Sequence, residues 1–200
     1  MKPSGKSLRS RQKEQTQSEI ARVAFDLFAQ VGYDEVSMER ISEMAGVSRA
    51  TLFNYFPRKE LILPYIARLR VERLKELAGN IEKQQGAVRF EDIFQPILEI
   101  ARENVKVARR ARKLLLRVWF QQALHGHLVK NREDALTVLS RLIERVPRRK
   151  RSVSARQVAE IIFALMMSTT LEWLMNDTAP NDWLPETLKQ RLELTLAGVA

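Results

Sequence analysis

An all-α protein is what this sequence predicts, on three observations. Apolar residues recur at helical spacing over long stretches. Only seven glycines and seven prolines interrupt 200 residues. Hydroxyl residues and glycines also stand where helices should open and close, at Thr16, Gly32, Ser37, Gly46 and Ser48. With 45% hydrophobic and 29% charged residues the chain can fill a core and keep its surface wet. Its length suits one large domain or a small head on a larger body.

Residues 1–13 carry Lys2, Lys6, Arg9, Arg11 and Lys13 without an acid and read as a disordered basic arm, having almost nothing apolar to bury. The first helix is expected to open at Thr16, where Thr16-Gln17-Ser18-Glu19 has the form of a capping box. Ile20, Val23, Ala24, Leu27, Phe28 and Val31 then make one apolar stripe, and Gly32 stands where a left-handed residue ends a helix. A second helix is expected from Ser37. Val36 and Ile41 form its hydrophobic staple, Ile41, Met44 and Ala45 its inner face, and Gly46 its stop.

Ser48 caps a third helix that runs to Phe56. Leu52 and Phe56 lie one turn apart and face inward, which turns Ala50, Thr51 and Asn54 away from them and leaves Phe53 on the flank. A helix this short does not persist alone, because nucleation is costly. Two short helices joined by a glycine-containing turn and braced by a longer one form a helix-turn-helix, and the polar face of the third is sized for a DNA major groove. A plain three-helix corner with a wet face has the same arrangement. The domains expected are an arm at 1–13, a helix-turn-helix head at 14–60 and a helical body at 61–200.

In the body, helix four should run from about Arg58 to Lys83 with a kink at Pro64. Further helices are expected at 90–107, 109–125, 128–146, 154–177 and 184–198, about nine in all. From Ile161 to Met175 only Glu172 is charged, so that helix needs cover on both sides. Leu188, Leu192, Leu196 and Val199 give the last helix an apolar stripe. One face of each can pack on the body and the other on a second copy. The candidates for that pairing are Ile161, Ile162, Leu165, Trp173, Leu188, Leu192 and Leu196.

Several classes are excluded. There is no cysteine, hence no disulfide framework and no thiolate metal site, and two histidines, His125 and His127, come with no carboxylate cluster. No cofactor is expected. No nucleophile, base and orienter stand at a recognisable spacing, which argues against an enzyme. The basic start lacks the apolar region of a secretory signal. The run Ile161–Met175 falls short of a membrane span and contains Glu172. A cytoplasmic protein without membrane contact is the expectation. Net charge is +10 overall, yet residues 1–60 hold 10 basic and 8 acidic side chains, so the bulk of the charge lies outside the helix-turn-helix. Arg102, Lys106, Arg109, Arg110, Arg112, Lys113 and Arg117 form one cluster and Arg148–Arg151 another. Such clusters are solvated faces, aids to DNA steering, or contacts for an anionic ligand.

Gly32, Tyr33, Ser37, Ile41, Ala45-Gly46-Val47-Ser48, Thr51-Leu52, Tyr55-Phe56 and Lys59-Glu60-Leu61 together resemble, in order and spacing, the TetR family of bacterial transcriptional regulators. The resemblance covers about residues 16–65. It implies that Arg49, Ala50, Thr51, Asn54 and Tyr55 meet DNA, with Ser37 and Ser48 at the helix caps and Lys59 on a phosphate. The family usually has Tyr where this chain has Phe53, which cannot donate to a phosphate and is left to pack or to touch a thymine methyl. By their chemistry, Arg49 can pair with guanine and Asn54 with adenine, Ala50 and Thr51 suit thymine methyls, and Ser37, Tyr55 and Lys59 position rather than specify. The resemblance also places an inducer pocket among Phe90, Phe94, Trp119, Phe120, Phe163, Met166 and Met167, residues that serve equally as plain core. It implies a homodimeric, effector-released regulator, most often a repressor, on a palindromic operator. The other reading is a basic helical protein that coats DNA or an anionic membrane without sequence choice.

Overall fold

The computed structural model describes residues 7–83, 86–105, 114–117, 127–147 and 152–197. These residues contain helices and no strand. The chain divides into two compact units, residues 1–66 and 67–200, and the division falls inside a helix.

The first unit opens with α1, Leu8–Val31. Its cap is Ser7, whose hydroxyl accepts from the amide of Ser10 at 3.2 Å. The expected start at Thr16 is therefore corrected, and with it the disordered arm for residues 8–13, which are helical. Residues 1–6 lie outside the described residues. Thr16 sits in mid-helix and donates back to the carbonyl of Gln12 (3.0 Å), while Glu19 pairs with Arg22 (2.7 Å). Ile20, Ala21, Ala24, Leu27 and Phe28 form the buried stripe, but Val31 at its end is 58% exposed. Gly32 closes the helix with φ of 111°, where a side chain is strained. The ring of Tyr33 then folds onto Phe28, centroids 4.8 Å apart.

Helix α2, Met38–Met44, is capped by Ser37, which accepts from the Arg40 amide at 3.1 Å. Val36 and Ile41 are both buried, as the staple requires. The inner face differs from expectation at Met44, which is 52% exposed. Ser42 is buried instead, its hydroxyl satisfied by the carbonyl of Glu39 at 2.8 Å. Gly46, with φ of 64°, reverses the chain in the left-handed region. Helix α3 follows at Arg49–Tyr55, capped by Ser48 through the Thr51 amide (3.1 Å). Leu52 and Phe56 are buried, and Phe56 meets Tyr65 edge-on with centroids 5.4 Å apart.

After a 3-10 turn at Lys59–Leu61, α4 runs from Ile62 to Glu82. Pro64 thus stands in the first turn, where its missing N–H has no partner to lose, and the kink expected there has no cause.

The second unit contains the rest of α4, α5 (Phe90–Val105), a helical piece at 114–117 (α6), α7 (His127–Glu144), α8 (Ala155–Met175) and α9 (Trp183–Leu196). Helix α8 packs on α7 and α9, and α5 on α9 and α7. Their shared core includes Ile93, Ile97, Leu136, Leu139, Val158, Ile162, Trp173, Leu184 and Leu192. Asp92 in the first turn of α5 accepts from the amide of Arg89 (2.9 Å), which holds its carboxyl below the ordinary value. A capping box between Ser154 and Gln157 starts α8. Ion pairs fasten α4: Arg73 to Glu99 (2.7 Å) and Glu103 (3.1 Å) on α5, and Lys75 to Asp134 (3.2 Å) on α7.

By length and composition α8 is long and apolar enough to cross a membrane, with mean hydropathy 1.5, which corrects the expectation drawn from the shorter run inside it. Here it packs on α7 and α9, with seven of its 21 residues buried. Arg191 of α9 ties it down through Glu172 (2.8 Å) and the buried Thr169 (2.9 Å).

Candidate nucleic-acid interface

Seven residues make α3, a rod about 10 Å long at 1.5 Å per residue, and a B-DNA major groove is about 12 Å wide. What fixes this rod is its buried side: Leu52 is 0% and Phe56 2% exposed. The opposite side carries Ala50 and Asn54, both exposed, with Thr51 half-buried; Arg49, the first residue of the helix, is exposed beside α2, and Tyr55 is half-buried. Ala50 presents only a methyl, and Asn54 an amide that can donate and accept at once. Phe53 is 37% exposed and lies on the flank, as its spacing predicts.

The hydroxyls are already partly committed. Ser37 and Ser48 each accept from a helix amide, and Ser48 also shares a 2.8 Å hydrogen bond with the hydroxyl of Thr51. That bond orients the Thr51 methyl and keeps both groups at the entrance of the helix. Arg49, the first residue of α3, places Nη2 2.8 Å from Oε1 of Glu39 in α2, and its guanidinium lies 5.6 Å from the centroid of the Phe53 ring. Sequence reasoning missed Glu39. It stands ten residues from Arg49, and no local spacing rule joins positions on two different helices.

Lys59 is held by the head itself. Its ammonium donates to the carbonyls of Tyr33 (2.8 Å), Val36 (2.9 Å) and Asp34 (3.4 Å) and sits 4.5 Å from the centroid of the Tyr33 ring. An ammonium has three N–H donors, and two of them are engaged at short range by the α1–α2 loop, with a longer contact to Asp34. Lys59 braces that loop.

The other sequence-derived groups scatter more. Phe90 and Phe94 are buried in the core of the second unit, with Phe163 and Met166 half-buried against it and Met167 half-buried on the same helix. Trp119 and Phe120 lie outside the described residues, as do Lys106–Lys113 and Arg148–Arg151 of the basic clusters and His125. A cavity of about 360 Å³ opens between α4 and α7, lined by Lys75, Ala78, Glu82, Asp134, Thr137, Val138 and Arg141, none of them from the aromatic and methionine set.

Of the pairing candidates, Ile162, Trp173, Leu188, Leu192 and Leu196 are buried in the chain's own core and are unavailable to a second copy. Leu165 is half-buried against that core, and Ile161 is 38% exposed. Met175 (70%) and Leu194 (80%) carry the largest apolar exposure on α8 and α9. On α8, apolar nearly all round, the sequence hides which face is inner, and on α9 the leucine stripe proves to be the inner face.

A model of bacterial regulatory proteins of the tetR family matches residues 20–66, and one of the MftR C-terminal domain matches residues 90–200, more than half of the chain. The HTH-type transcriptional regulator RutR of Escherichia coli K12 is 43% identical over 70 residues, 35% of this chain and 31% of RutR, so the match spans about a third of that relative. Thermus thermophilus FadR, a TetR-family transcriptional repressor in complex with lauroyl-CoA, shares the fold with a TM-score of 0.64 at 21% identity, covering 92% of this chain and 95% of FadR. SmeT in its complex with triclosan does so with a TM-score of 0.66 at 17% identity, covering 93% and 92%. With its reading head matched by one of these family models and its helical body by the other, the chain belongs to the TetR family of bacterial transcriptional regulators.

Proposed function

We propose that the protein is a homodimeric repressor that reads a palindromic operator with α3 and lets go when a small organic effector enters its second unit. The observation that carries this reading is the division of α3 into a buried side, Leu52 with Phe56 at its end, and an exposed side of Arg49, Ala50 and Asn54. Only the exposed side offers base-reading chemistry. Arg49 is assigned to a guanine and Asn54 to an adenine, each contributing about 1–3 kcal/mol of discrimination. Ala50 and Thr51 meet thymine methyls, and Ser37, Ser48 and Tyr55 line the backbone. A protein of this kind works in the cytoplasm, beside the chromosome.

Pairing supplies the second half-site. The outward side of α8 and α9, with Ile161, Met175 and Leu194, is the surface we assign to it, in place of the buried leucines. The effector is assigned to the α5 and α8 side chains Phe94, Phe163, Met166 and Met167, where methionine can repack around an unfamiliar shape. Related folds hold ligands as unlike as lauroyl-CoA in FadR and triclosan in SmeT, so the wall is proposed and the ligand is left to experiment.

Competition binding tests the reading. A duplex selected from the protein's own promoter should outcompete bulk DNA by about 10³-fold or more. Equal affinity for both would instead establish a protein that coats DNA without sequence choice.

A further inference from the structure

The pair that Glu39 makes with Arg49 spans the two helices of the reading head, and none of the usual reasons for an ion pair accounts for it. Both side chains are about half exposed or more, 47% and 67%, so screening leaves it little to contribute to stability. A carboxylate on a surface facing DNA also repels phosphate. Its geometry, however, is that of a buttress. Glu39 is the second residue of α2, where the positive end of the helix favours a carboxylate and the cap at Ser37 fixes the backbone. Arg49 is the first residue of α3. The closest approach is Nη2 to Oε1 at 2.8 Å, and a guanidinium with five N–H donors keeps others for a base. On the other side the guanidinium lies against Phe53, one turn further along α3, so a carboxylate and a ring restrain one side chain.

We infer that Glu39 is a specificity-determining residue: it pre-sets Arg49 so that its guanidinium reaches one base without first being ordered. This rests on the reading of Arg49 as a base contact. Ordering a long side chain on binding costs a factor of about 2 to 10 in affinity, and a buttress removes most of that factor for the correct base only. Glu43 provides the control. It lies on the same helix, exposed, and pairs with Arg40 at a loose 3.9 Å, so its removal changes the head's charge equally without touching Arg49.

The experiment uses the full chain. A duplex selected from a randomised library by the wild-type protein is varied one base pair at a time. The resulting preference profile is measured for Glu39→Ala, Glu39→Gln, Glu43→Ala, Arg49→Ala and the Glu39→Ala/Arg49→Ala double variant, with circular dichroism confirming each fold. Glu39→Ala should cut discrimination about 3- to 10-fold at the one base pair where Arg49→Ala abolishes it, and Glu39→Gln should fall between. Glu43→Ala should leave that position untouched, although both alanine variants bind random DNA somewhat more tightly. In the double variant the loss should equal that of Arg49→Ala alone. Identical profiles for Glu39→Ala and Glu43→Ala would overturn the buttress while leaving Arg49 a base reader. A profile that Arg49→Ala does not change would overturn the base reading itself, and the buttress with it.

Discussion

Replacing Lys59 with methionine separates bracing from DNA contact. Methionine keeps most of the stem but removes the ammonium and its bonds to the carbonyls of Tyr33, Val36 and Asp34. Two of those bonds are short and one is long. A hydrogen bond from a charged donor contributes about 1.5–3 kcal/mol, and the ring contact about 0.5–1 kcal/mol at an exposed site. These terms do not add fully, because water can reach the loop beside the exposed Asp34. A net loss of about 3 kcal/mol is expected, about a hundredfold in the opening equilibrium of the head.

Hydrogen exchange reads this directly. The amides of Gly32, Ile41 and Val47, bonded to Phe28, Ser37 and Ser42, should exchange about a hundred times faster, and the interior amides of α7 should not change. Below the melting transition the variant's salt slope on operator DNA should equal that of the wild type, whereas a lost phosphate contact would flatten it by about 0.9 per subunit. Unchanged protection together with a flattened slope would refute the brace.

Three further outcomes follow from the geometry. Gly46→Ala should cost about 1–2 kcal/mol from backbone strain alone, since φ is 64° and a Cβ there meets nothing within 4 Å; urea titration should show Gly46→Asn costing less. Leu194→Glu, at a position 80% exposed, should leave the fold intact and weaken self-association in sedimentation, and an unchanged association constant would remove α9 from the pairing surface. Glu172 supplies a pH test: the hydrogen bond from Arg191, opposed by burial and helped by attraction, holds its carboxyl below the ordinary 4.5. A carboxylate depressed in the folded state stabilises above its unfolded value and loses that contribution as pH falls through the folded one. Urea midpoints followed by tryptophan fluorescence should therefore decline from about pH 4.5 downward. The decline should be shallower in Arg191→Gln, and equal slopes would contradict the assignment.

What could be read in the sequence was local. Ser37, Ser48 and Gly46 act within three or four residues of their own position, so α2, α3 and their turn were legible, and with them the exposed face of α3. The start of α1 was not. Residues 8–13 have no apolar face to announce a helix, and they are helical because a cap at Ser7 and the stripe further on support continuous propagation. The bracing role of Lys59 was not legible because its partners are backbone carbonyls 23 to 26 residues away, which no side-chain pattern encodes. Trp173 was placed on the wrong side because α8 is apolar over most of its circumference, and Leu192 because a single leucine stripe on α9 does not say whether the body or a second copy covers it.

The packing of α5 against α9 has a bearing on how the protein is made. The head lies within the first 66 residues, and a side-chain bond inside it, Ser18 to Tyr65, spans 47 positions. The head can close while the ribosome is still translating the body. The body cannot, because the side of α5 that packs on α9 stays uncovered until residues 183–196 have been synthesised. A non-local contact of that length slows folding and prolongs exposure of sticky surface. A nascent chain would thus carry a finished DNA reader on an unfinished body, and chaperone demand, like sensitivity to truncation, would concentrate in the second unit.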